Sequence, residues 1–285
     1  MKSIPSLRIR QAGRMRRLRW PLSVVLCSAA AFLTAAPTLA QSLRFDFSQE
    51  TEGPLPTGKW ELGGIGWQIA NGRLRCEAGN RTTAVPASAP HAAELTFEVV
   101  VRPERGIGDQ WKTVGISVAR DDANFWQLSL VESPKNLGET HTVELHEMLR
   151  GTWLANLEAP TALRRISEEG AGLTWRYGED YRMTITLTPE SIRGSIEELS
   201  SGRIWRIAYA LEADCVRSGR PVLSASGMVA SYARYEATVT KAAPAPEPPE
   251  PRSYTLAPMS SIRRPATGFF RVEQIGGRWW VVDPK

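Results

Sequence analysis

The sequence predicts an all-β fold, an antiparallel two-sheet jelly-roll sandwich, with a signal peptide before it and a linker and β-hairpin after it. Apolar and polar residues alternate with a period of two in one short segment after another between residues 43 and 240, which is the pattern of half-buried strands. Clusters of Gly, Pro, Asn and Asp separate these segments. The one helical pattern, around residues 162–169, is short. Without helices to cover a parallel sheet, the strands are expected to pair antiparallel.

The alternating segments place large apolar side chains on one face of each predicted strand. These side chains are Leu43, Phe45 and Phe47; Leu95, Phe97, Val99 and Val101; Val114, Ile116 and Val118; Trp126, Leu128 and Leu130; Val143 and Leu145; Tyr181, Met183, Ile185 and Leu187; Ile192 and Ile196; and Tyr235, Ala237 and Val239. Asn71-Gly72 is the best hairpin signal, because both residues accept the positive φ of a type I′ turn. The sandwich is expected to occupy residues 41–241.

Residues 1–40 have the pattern of a secretory signal peptide. Seven basic residues and no acidic residue lie in this segment, and the apolar run 21–36 is followed by Thr38-Leu39-Ala40, a small-residue cleavage site before Gln41. The apolar run is shorter than the ~20 residues that span a bilayer, so a permanent transmembrane helix is the weaker alternative. We expect a secreted or periplasmic protein with no stable membrane span after cleavage.

The positive charge of the chain belongs to this segment. The whole sequence has 35 basic and 30 acidic residues, a net charge of +5. Removal of residues 1–40 takes away seven basic residues and leaves 28 basic and 30 acidic residues, a net charge of −2. A basic protein would suggest a nucleic-acid partner. With that excess removed, we expect no nucleic-acid partner, and we expect a monomer.

Two cysteines remain after cleavage, Cys76 and Cys215. In an oxidising compartment a disulfide between them would close a long loop and add roughly 3–5 kcal/mol. The alternative is that both are separate buried thiols that pack as small apolar groups. Two cysteines are too few for a disulfide scaffold, so the domain is expected to rest on a hydrophobic core.

The segment 242–267 is expected to be a Pro-rich linker. Its first part, Ala242–Pro251, reads AAPAPEPPEP and has nothing large enough to bury. Proline fixes φ and lacks an N–H, so this stretch favours a polyproline II spacer of roughly 3 Å per residue. Residues 268–285 then read as a β-hairpin that turns at Gly276-Gly277.

The start of the predicted sandwich resembles concanavalin A-like, laminin-G-like jelly rolls of bacterial secreted carbohydrate-active proteins. The residues that carry this resemblance are Phe45-Asp46-Phe47, Gly53-Pro54-Leu55-Pro56, Trp60, Gly66-Trp67, Asn71-Gly72 and Leu74. The resemblance implies curved sheets with a concave face that often meets a saccharide. It does not by itself define a function.

The C-terminal hairpin resembles the segment that leads into the (β/α)₈ barrel of agarase-like glycoside hydrolases. There the phrase G-F-F-R-V … G-R-W-W-L-V-D-P-G is typical, and here Gly268–Glu273 and Gly276–Pro284 match it. An isolated hairpin is marginal in water. We therefore expect this chain to be a fragment with the start of an incomplete second domain. The alternative is a natural end at which the hairpin packs on the sandwich.

Tryptophan is the residue type that suggests a ligand. Sugars stack their C–H faces on flat rings while nearby polar groups fix their orientation. Trp111 follows the loop 106–110 and Trp153 follows a Gly-containing turn, so both are candidates for display at a rim, with core packing as the alternative. The polar partners expected on a concave face are Gln127, Glu144, His146 and Arg182. For these residues, the alternative is a solvated strand face.

Catalytic and metal motifs are weak in this sequence. No predicted strand carries the closely spaced carboxylates of a retaining glycosidase, and His141 and His146 lack the partners of a zinc site. The resemblance implies a structural calcium ion, for which Asp46 and Glu50 are candidates. Arg234-Tyr235-Glu236 stands where such proteins often place paired aspartates, which weakens that expectation. We expect no other cofactor.

Three functions are compatible with these observations. The first is a non-catalytic, lectin-like module that binds a polysaccharide or oligosaccharide and is tethered by the linker to a glycoside hydrolase-like barrel. The second is a jelly-roll glycoside hydrolase whose carboxylates come from separate strands. The third is a structural sandwich of the cell envelope with no sugar specificity.

Overall fold

The computed structural model describes residues 40–56, 58–154 and 163–247, together with the backbone of 271–275 and 278–282. The predicted signal peptide and most of the predicted linker lie outside the described residues. In chain order the strands of the sandwich are β1 (Gln41–Asp46), β2 (Gly53–Pro54), β3 (Trp60–Gly63), β4 (Trp67–Ala70), β5 (Arg73–Ala78), β6 (Thr82–Pro86), β7 (Ala92–Gly106), β8 (Lys112–Asp121), β9 (Asn124–Glu132), β10 (His141–Leu149), β11 (Thr152–Trp153), β12 (Arg165–Glu169), β13 (Tyr181–Leu187), β14 (Ser191–Glu198), β15 (Ile204–Ala210), β16 (Arg220–Ser226) and β17 (Met228–Ala242). Short 3₁₀ turns lie at Phe47–Gln49 and Lys135–Leu137.

These strands form two antiparallel sheets. The ten-stranded sheet has the order β12-β15-β14-β13-β7-β17-β5-β4-β2, and β1 also pairs with β17. The seven-stranded sheet has the order β11-β10-β9-β8-β16-β6-β3. The predicted all-β, two-sheet antiparallel sandwich is therefore confirmed.

The core lies between the two sheets and follows the period-two pattern of the sequence. Trp126, Leu128 and Leu130 of β9 and the alternating apolar residues of β7 and β13 belong to a single buried cluster. Burying these side chains is the main stabilising contribution, at ~25 cal/mol per Å² of apolar surface.

Two buried tyrosines of the long strand β17 join the sheets by hydrogen bonds. The Tyr232 hydroxyl lies 3.1 Å from the Gly115 carbonyl oxygen and 3.0 Å from the Ser224 carbonyl oxygen, and the Tyr235 hydroxyl donates to the Pro221 carbonyl oxygen at 2.9 Å. These acceptors lie on β8 and β16 of the opposite sheet. A buried hydroxyl without an acceptor is costly, so these bonds fix the spacing of the sheets at this point.

The Asn71-Gly72 turn is confirmed. Asn71 has a φ of 53° and Gly72 a φ of 66°, the positive values that a type I′ turn requires at both central positions. Ala70 and Arg73 pair on either side, where β4 passes into β5.

The helical interpretation of residues 162–169 is wrong. Residues Arg165–Glu169 form β12, which pairs with β15 at the edge of the ten-stranded sheet, and residue 162 lies outside the described residues. All five residues of β12 are exposed. The pairing with β15 outweighs a local helical pattern in such a short segment, because strand formation depends on tertiary neighbours.

Of the two alternatives for the cysteines, the structure has the separate ones, since Cys76 and Cys215 are free thiols. Cys76 lies on β5 opposite Ala230, inside the core, whereas Cys215 lies in the loop between β15 and β16, where its sulfur accepts a hydrogen bond from the Glu212 N–H at 3.2 Å. Burial raises the pKa of Cys76 to about 12 and that of Cys215 to about 11. Both therefore remain neutral thiols, as the alternative interpretation held.

The strands of the sandwich begin with β1 and end with β17. β1 begins at Gln41 and β17 ends at Ala242, after which 243–247 have no regular structure. Further on, β18 (Arg271–Ile275) and β19 (Arg278–Val282) pair antiparallel with each other, and the two residues between them lie outside the described ranges. No helix in the described part of the chain is long and apolar enough to cross a membrane.

Gly115 of β8 is a position in the seven-stranded sheet where the neighbouring backbone leaves no room for a side chain. A Cβ there would lie 2.0 Å from the Leu128 carbonyl oxygen, and a backbone atom cannot move away cheaply. We expect Gly115→Ala to lower the free energy of unfolding by at least about 2 kcal/mol. Gly79→Ala is the matched control, since nothing lies within 4 Å of its Cβ, and its change should stay within about 0.5 kcal/mol. Urea unfolding of both variants tests this, and equal stabilities would contradict it.

Candidate functional site

Three of the predicted sugar-binding residues are cross-strand neighbours on the seven-stranded sheet. Gln127 of β9 lies opposite His146 of β10, and Ser129 lies opposite Glu144. His146 Nδ1 is 3.1 Å from a Glu144 carboxylate oxygen. Alternation with the core residues of both strands turns these side chains to the outer face of the sheet. Gln127 is nevertheless buried, which leaves Glu144 and His146 as the more accessible pair.

Arg182 does not join them. It lies on β13 in the ten-stranded sheet, where its guanidinium is 2.7 Å from the Glu197 carboxylate and 3.6 Å from the Glu98 carboxylate. The expectation that it shares a face with Gln127 and His146 is therefore wrong. The alternating pattern around Arg182 correctly predicts a strand, β13. This strand pairs with β7 and β14 rather than with β10.

Trp153 lies on β11, a two-residue strand at the edge of the seven-stranded sheet. Its ring meets that of Phe125 edge-on, with centroids 5.4 Å apart and an interplanar angle of 89°. This is a favourable aromatic packing geometry. Trp153 is partly buried, and this contact favours packing over display.

The Trp111 side chain is exposed to solvent. It is 53% exposed and lies in the loop between β7 and β8. It lines a cavity of about 610 Å³ together with residues of its own loop and of the loop between β9 and β10. The other lining residues are Asp109, Gln110, Pro134, Lys135, Asn136 and Leu137. An exposed indole therefore stands among amide, carboxylate and ammonium groups, in a space large enough for a small ligand. We call this the Trp111 cavity.

A second cavity, of about 410 Å³, is formed by the same two loops and the segment before β13. Its lining residues are Gly106, Gly108, Lys112, Glu132, Glu139, His141 and Tyr177. Lys112, the first residue of β8, follows Trp111 directly in the chain. We call this the Glu132 cavity.

The floor of the Glu132 cavity is set by strand register. Lys112, Glu132 and His141 stand directly opposite one another at the ends of β8, β9 and β10. Lys112 Nζ donates to Glu132 Oε1 at 2.5 Å, and His141 Nε2 lies 3.0 Å from Glu132 Oε2. The Tyr177 hydroxyl also donates to Glu132 Oε2. The Glu132 carboxylate therefore receives three hydrogen bonds.

Aromatic stacking holds the segment of Tyr177 against β10. The His141 ring lies 3.9 Å from the Trp175 ring and is almost parallel to it at 3°, while Tyr177 meets both rings edge-on. His141 Nδ1 is 2.8 Å from the Trp175 carbonyl oxygen, and Trp175 Nε1 donates to the Val131 carbonyl oxygen at 3.0 Å. Both nitrogens of His141 thus face acceptors.

The hydrogen bonds decide the protonation of Glu132 and Tyr177. Burial acts to raise the pKa of Glu132, but the hydrogen bonds from Lys112, Tyr177 and His141 outweigh it and hold the pKa below its ordinary value. Burial and the bond to Glu132 raise the pKa of Tyr177. At neutral pH, Glu132 is a carboxylate and Tyr177 is a neutral hydroxyl that donates to it.

The calcium candidates lie elsewhere. Asp46 Oδ1 accepts hydrogen bonds from the N–H and hydroxyl of Ser48, at 3.1 and 2.7 Å, and so caps the first 3₁₀ turn. Glu50 is exposed after that turn. Within the described ranges, no three His, Cys, Asp or Glu side chains are grouped to hold a metal. Calcium at Asp46 and Glu50 stays a prediction.

Lys112, Glu132 and Tyr177 are not among the residues predicted from the sequence to form a site. A signal for the first two was present, because the inward positions 114, 116 and 118 extend back to Lys112, and positions 126, 128 and 130 extend on to Glu132. Two opposite charges at inward positions of neighbouring strands predict a buried ion pair. Tyr177 lies outside any strand, and nothing in the sequence places it against Glu132.

No protein-family model and no curated protein matches this chain. Among solved structures, carbohydrate binding module CBM66 from Bacillus subtilis is 8% identical, with a TM-score of 0.42 over 61% of this chain and 91% of that one. Basic winged bean lectin, solved with Tn-antigen, is 8% identical, with a TM-score of 0.46 over 70% and 98%.

A third similar structure is the GH43 protein BlXynB from Bacillus licheniformis, which is 13% identical with a TM-score of 0.45. The alignment covers 68% of this chain and 38% of that protein. With TM-scores below 0.5, none of these similarities carries an argument about what this chain does. The fold described above rests on its own strand pairing.

The charge on Glu132 is expected to stabilise the sandwich. Glu132→Gln leaves the Lys112 ammonium, whose side chain is 4% exposed, buried without its counter-charge, and should lower the free energy of unfolding by about 3 kcal/mol at pH 7. A carboxyl with a lowered folded pKa contributes stability above its unfolded pKa of 4.5, and this is lost as the pH falls through the folded value. The difference from wild type should therefore shrink below about pH 4.5.

Urea unfolding at neutral and acidic pH measures this effect. Glu190→Gln serves as the control, since Glu190 is exposed and its replacement should change stability little at either pH. A difference between wild type and Glu132→Gln that stays constant with pH would contradict an ionised Glu132 in the folded state.

Proposed function

We propose that this chain is a secreted glycan-binding module and that the Trp111 cavity is its binding site. The observation that carries the proposal is the half-exposed indole of Trp111 above a cavity lined by Asp109, Gln110, Lys135 and Asn136. An indole face packs against the C–H face of a sugar ring, and amide and charged groups at its side bond the hydroxyls.

If Trp111 served only to pack the fold, its side chain would be expected to be buried. The other large aromatic residues at the core are buried, among them Trp126 and Trp175. Leaving an indole half in water forgoes part of the ~1.5–3 kcal/mol that burial of a large apolar side chain provides. A ligand that covers the ring would recover that free energy, which supports a binding role for Trp111.

The location and domain organisation of the module belong to the same proposal. A cleaved segment 1–40 would export the chain, and the linker at 242–267 would tether the sandwich to a glycoside hydrolase-like domain that begins at the hairpin. Binding by the module would then raise the local concentration of polysaccharide at that domain. The sandwich itself contributes recognition, and its neighbour would contribute the chemistry.

A catalytic sandwich is the second candidate, because Glu132 and Glu139 line the same cavity. Glycoside hydrolysis requires one carboxyl group that gives up a proton and a second carboxylate that acts as nucleophile or base. Glu132 is held as a carboxylate by three donors, so it would serve as the second of these. The exposed Glu139 would have to be the acid.

The first test is binding of the full chain to a panel of soluble and insoluble polysaccharides, with release of reducing ends measured in parallel. Trp111→Ala should weaken binding to the retained glycan at least about tenfold, since one stacking side chain contributes ~1.5 kcal/mol or more. Ile65→Ala is the control, because Ile65 is 87% exposed on another loop and should leave binding unchanged.

The outcomes separate the three functions. Retention without release, weakened by Trp111→Ala, supports a binding module. Release of reducing ends that is lost in Glu139→Gln supports the enzyme. A chain that retains no glycan and releases no reducing ends overturns both and leaves a structural sandwich.

A further inference from the structure

We propose that a pocket at the other end of β8 from Trp111 is a second glycan-binding site and that it takes an uncharged sugar ring. This inference rests on the proposed function and extends it, because it gives the module a second contact with the polysaccharide and names the class of sugar. The pocket has a volume of about 310 Å³, and residues of β3, β6, β8 and β16 line it. We call it the Arg220 pocket.

The floor of the Arg220 pocket is apolar at positions that face away from the core. Val85 and Val222 are buried in a small apolar cluster that is separate from the main core, and Ala119 packs against it. Their chain neighbours Ala84 and Leu223 belong to the main core, so alternation turns Val85 and Val222 to the outer face of the seven-stranded sheet. A buried apolar floor of this kind offers a surface against which the C–H face of a sugar ring can pack.

Arg220 fixes one wall of the pocket. Its guanidinium donates to the two carboxylate oxygens of Glu61, at 2.6 and 3.0 Å, and to the carbonyl oxygens of Ala89 and Pro86, at 2.9 and 3.0 Å. The Arg220 side chain is 18% exposed. A bidentate pair holds both side chains in one geometry, so this wall is formed before a ligand binds.

The other polar groups of the pocket have hydrogen-bonding capacity left. His91 Nδ1 is buried and has no hydrogen-bond partner in the described part of the chain. Arg120 is exposed to the solvent of the pocket. An Arg81 nitrogen is 3.6 Å from an Asp122 carboxylate oxygen, beyond hydrogen-bond distance. A buried polar atom without a partner costs free energy, so a ligand hydroxyl that reaches His91 is stabilising.

The charges of the pocket balance. The charged lining residues are Arg81, Arg120, Arg220, Glu61, Asp121 and Asp122. Burial and the neighbouring Arg220 and Arg120 guanidinium groups lower the pKa of His91, so its ring is neutral at pH 7. The pocket therefore presents donors and acceptors together without a net charge. A sugar hydroxyl both donates and accepts, so this lining favours an uncharged sugar over an ionic group.

The Arg220 pocket and the Trp111 cavity lie at opposite ends of one strand. Trp111 precedes Lys112, the first residue of β8, and Asp121, the last residue of β8, lines the pocket. The strand has ten residues, so at ~3.3 Å per residue its ends are about 30 Å apart. A polysaccharide chain is long enough to use both sites at once, which raises its apparent affinity, whereas a short oligosaccharide occupies one site at a time.

The number of ligands bound per chain tests the inference. The full chain is titrated, by calorimetry or equilibrium dialysis, with a tetrasaccharide of the glycan that the polysaccharide panel retains, a ligand too short to bridge both sites. Wild type should bind two molecules per chain at saturation. Trp111→Ala should leave one of them, and the polysaccharide should bind wild type more tightly than the tetrasaccharide does.

The double variant His91→Ala/Arg120→Ala identifies the second site. Both side chains line the Arg220 pocket, but neither takes part in the Arg220–Glu61 pair, so the fold should persist, which thermal unfolding checks. Binding at the second site should weaken about tenfold or more, as loss of hydrogen bonds to the ligand predicts, and binding at the Trp111 cavity should not change. Arg193→Ala, at an exposed arginine of β14 in the other sheet, is the matched control and should keep two sites.

The results separate this inference from the proposed function. One molecule per chain in wild type, lost in Trp111→Ala, overturns the second site while glycan binding stands. Two molecules per chain in the folded double variant, with unchanged affinities, overturn the placement in the Arg220 pocket, and equal weakening of both sites shows a structural role and also overturns it. A second site that accepts only acidic sugars overturns the uncharged class. Failure of wild type to bind any glycan overturns the proposed function and this inference together.

Discussion

The Glu132 carboxylate is the interaction on which this end of the molecule depends. It joins β8 through Lys112, β10 through His141 and the segment before β13 through Tyr177. The first two contacts lie within the seven-stranded sheet, and the third ties that sheet to a segment that enters the ten-stranded one. A buried carboxylate is tolerated only with such partners. The loops on either side of it are therefore held in one arrangement.

Both cavities follow from this anchoring. The loop between β7 and β8 ends at Lys112 and the loop between β9 and β10 lies between Glu132 and His141, so the ion pair fixes the bases of both loops. Trp111, one residue before Lys112, stands at the rim instead of in the core because Lys112 takes the inward position. A rigid base with functional side chains on loops is the usual arrangement of binding sites on β-sandwiches.

The local sequence pattern predicts much of the fold but only part of the candidate site. Alternation predicted the strands of β7, β9 and β13 and the faces they bury, and Asn71-Gly72 predicted its own turn. Trp111 follows a Gly-rich loop, and this position predicts it as a sugar-binding residue. Arg182 was grouped with Gln127 because both lie on amphipathic strands, but alternation indicates only which side of its own strand a residue faces. It does not indicate which sheet that strand joins.

The sequence by itself determined the all-β class, the two-sheet sandwich and the alternation of buried and exposed side chains, because these depend on neighbours one or two residues apart. Only the tertiary structure decided that Lys112, Glu132 and His141 stand in one row, that Tyr177 closes over them, and that Cys76 and Cys215 remain apart. Those contacts join residues distant in the chain. They depend on strand order and register, which are set by burial over the whole domain rather than by any local segment.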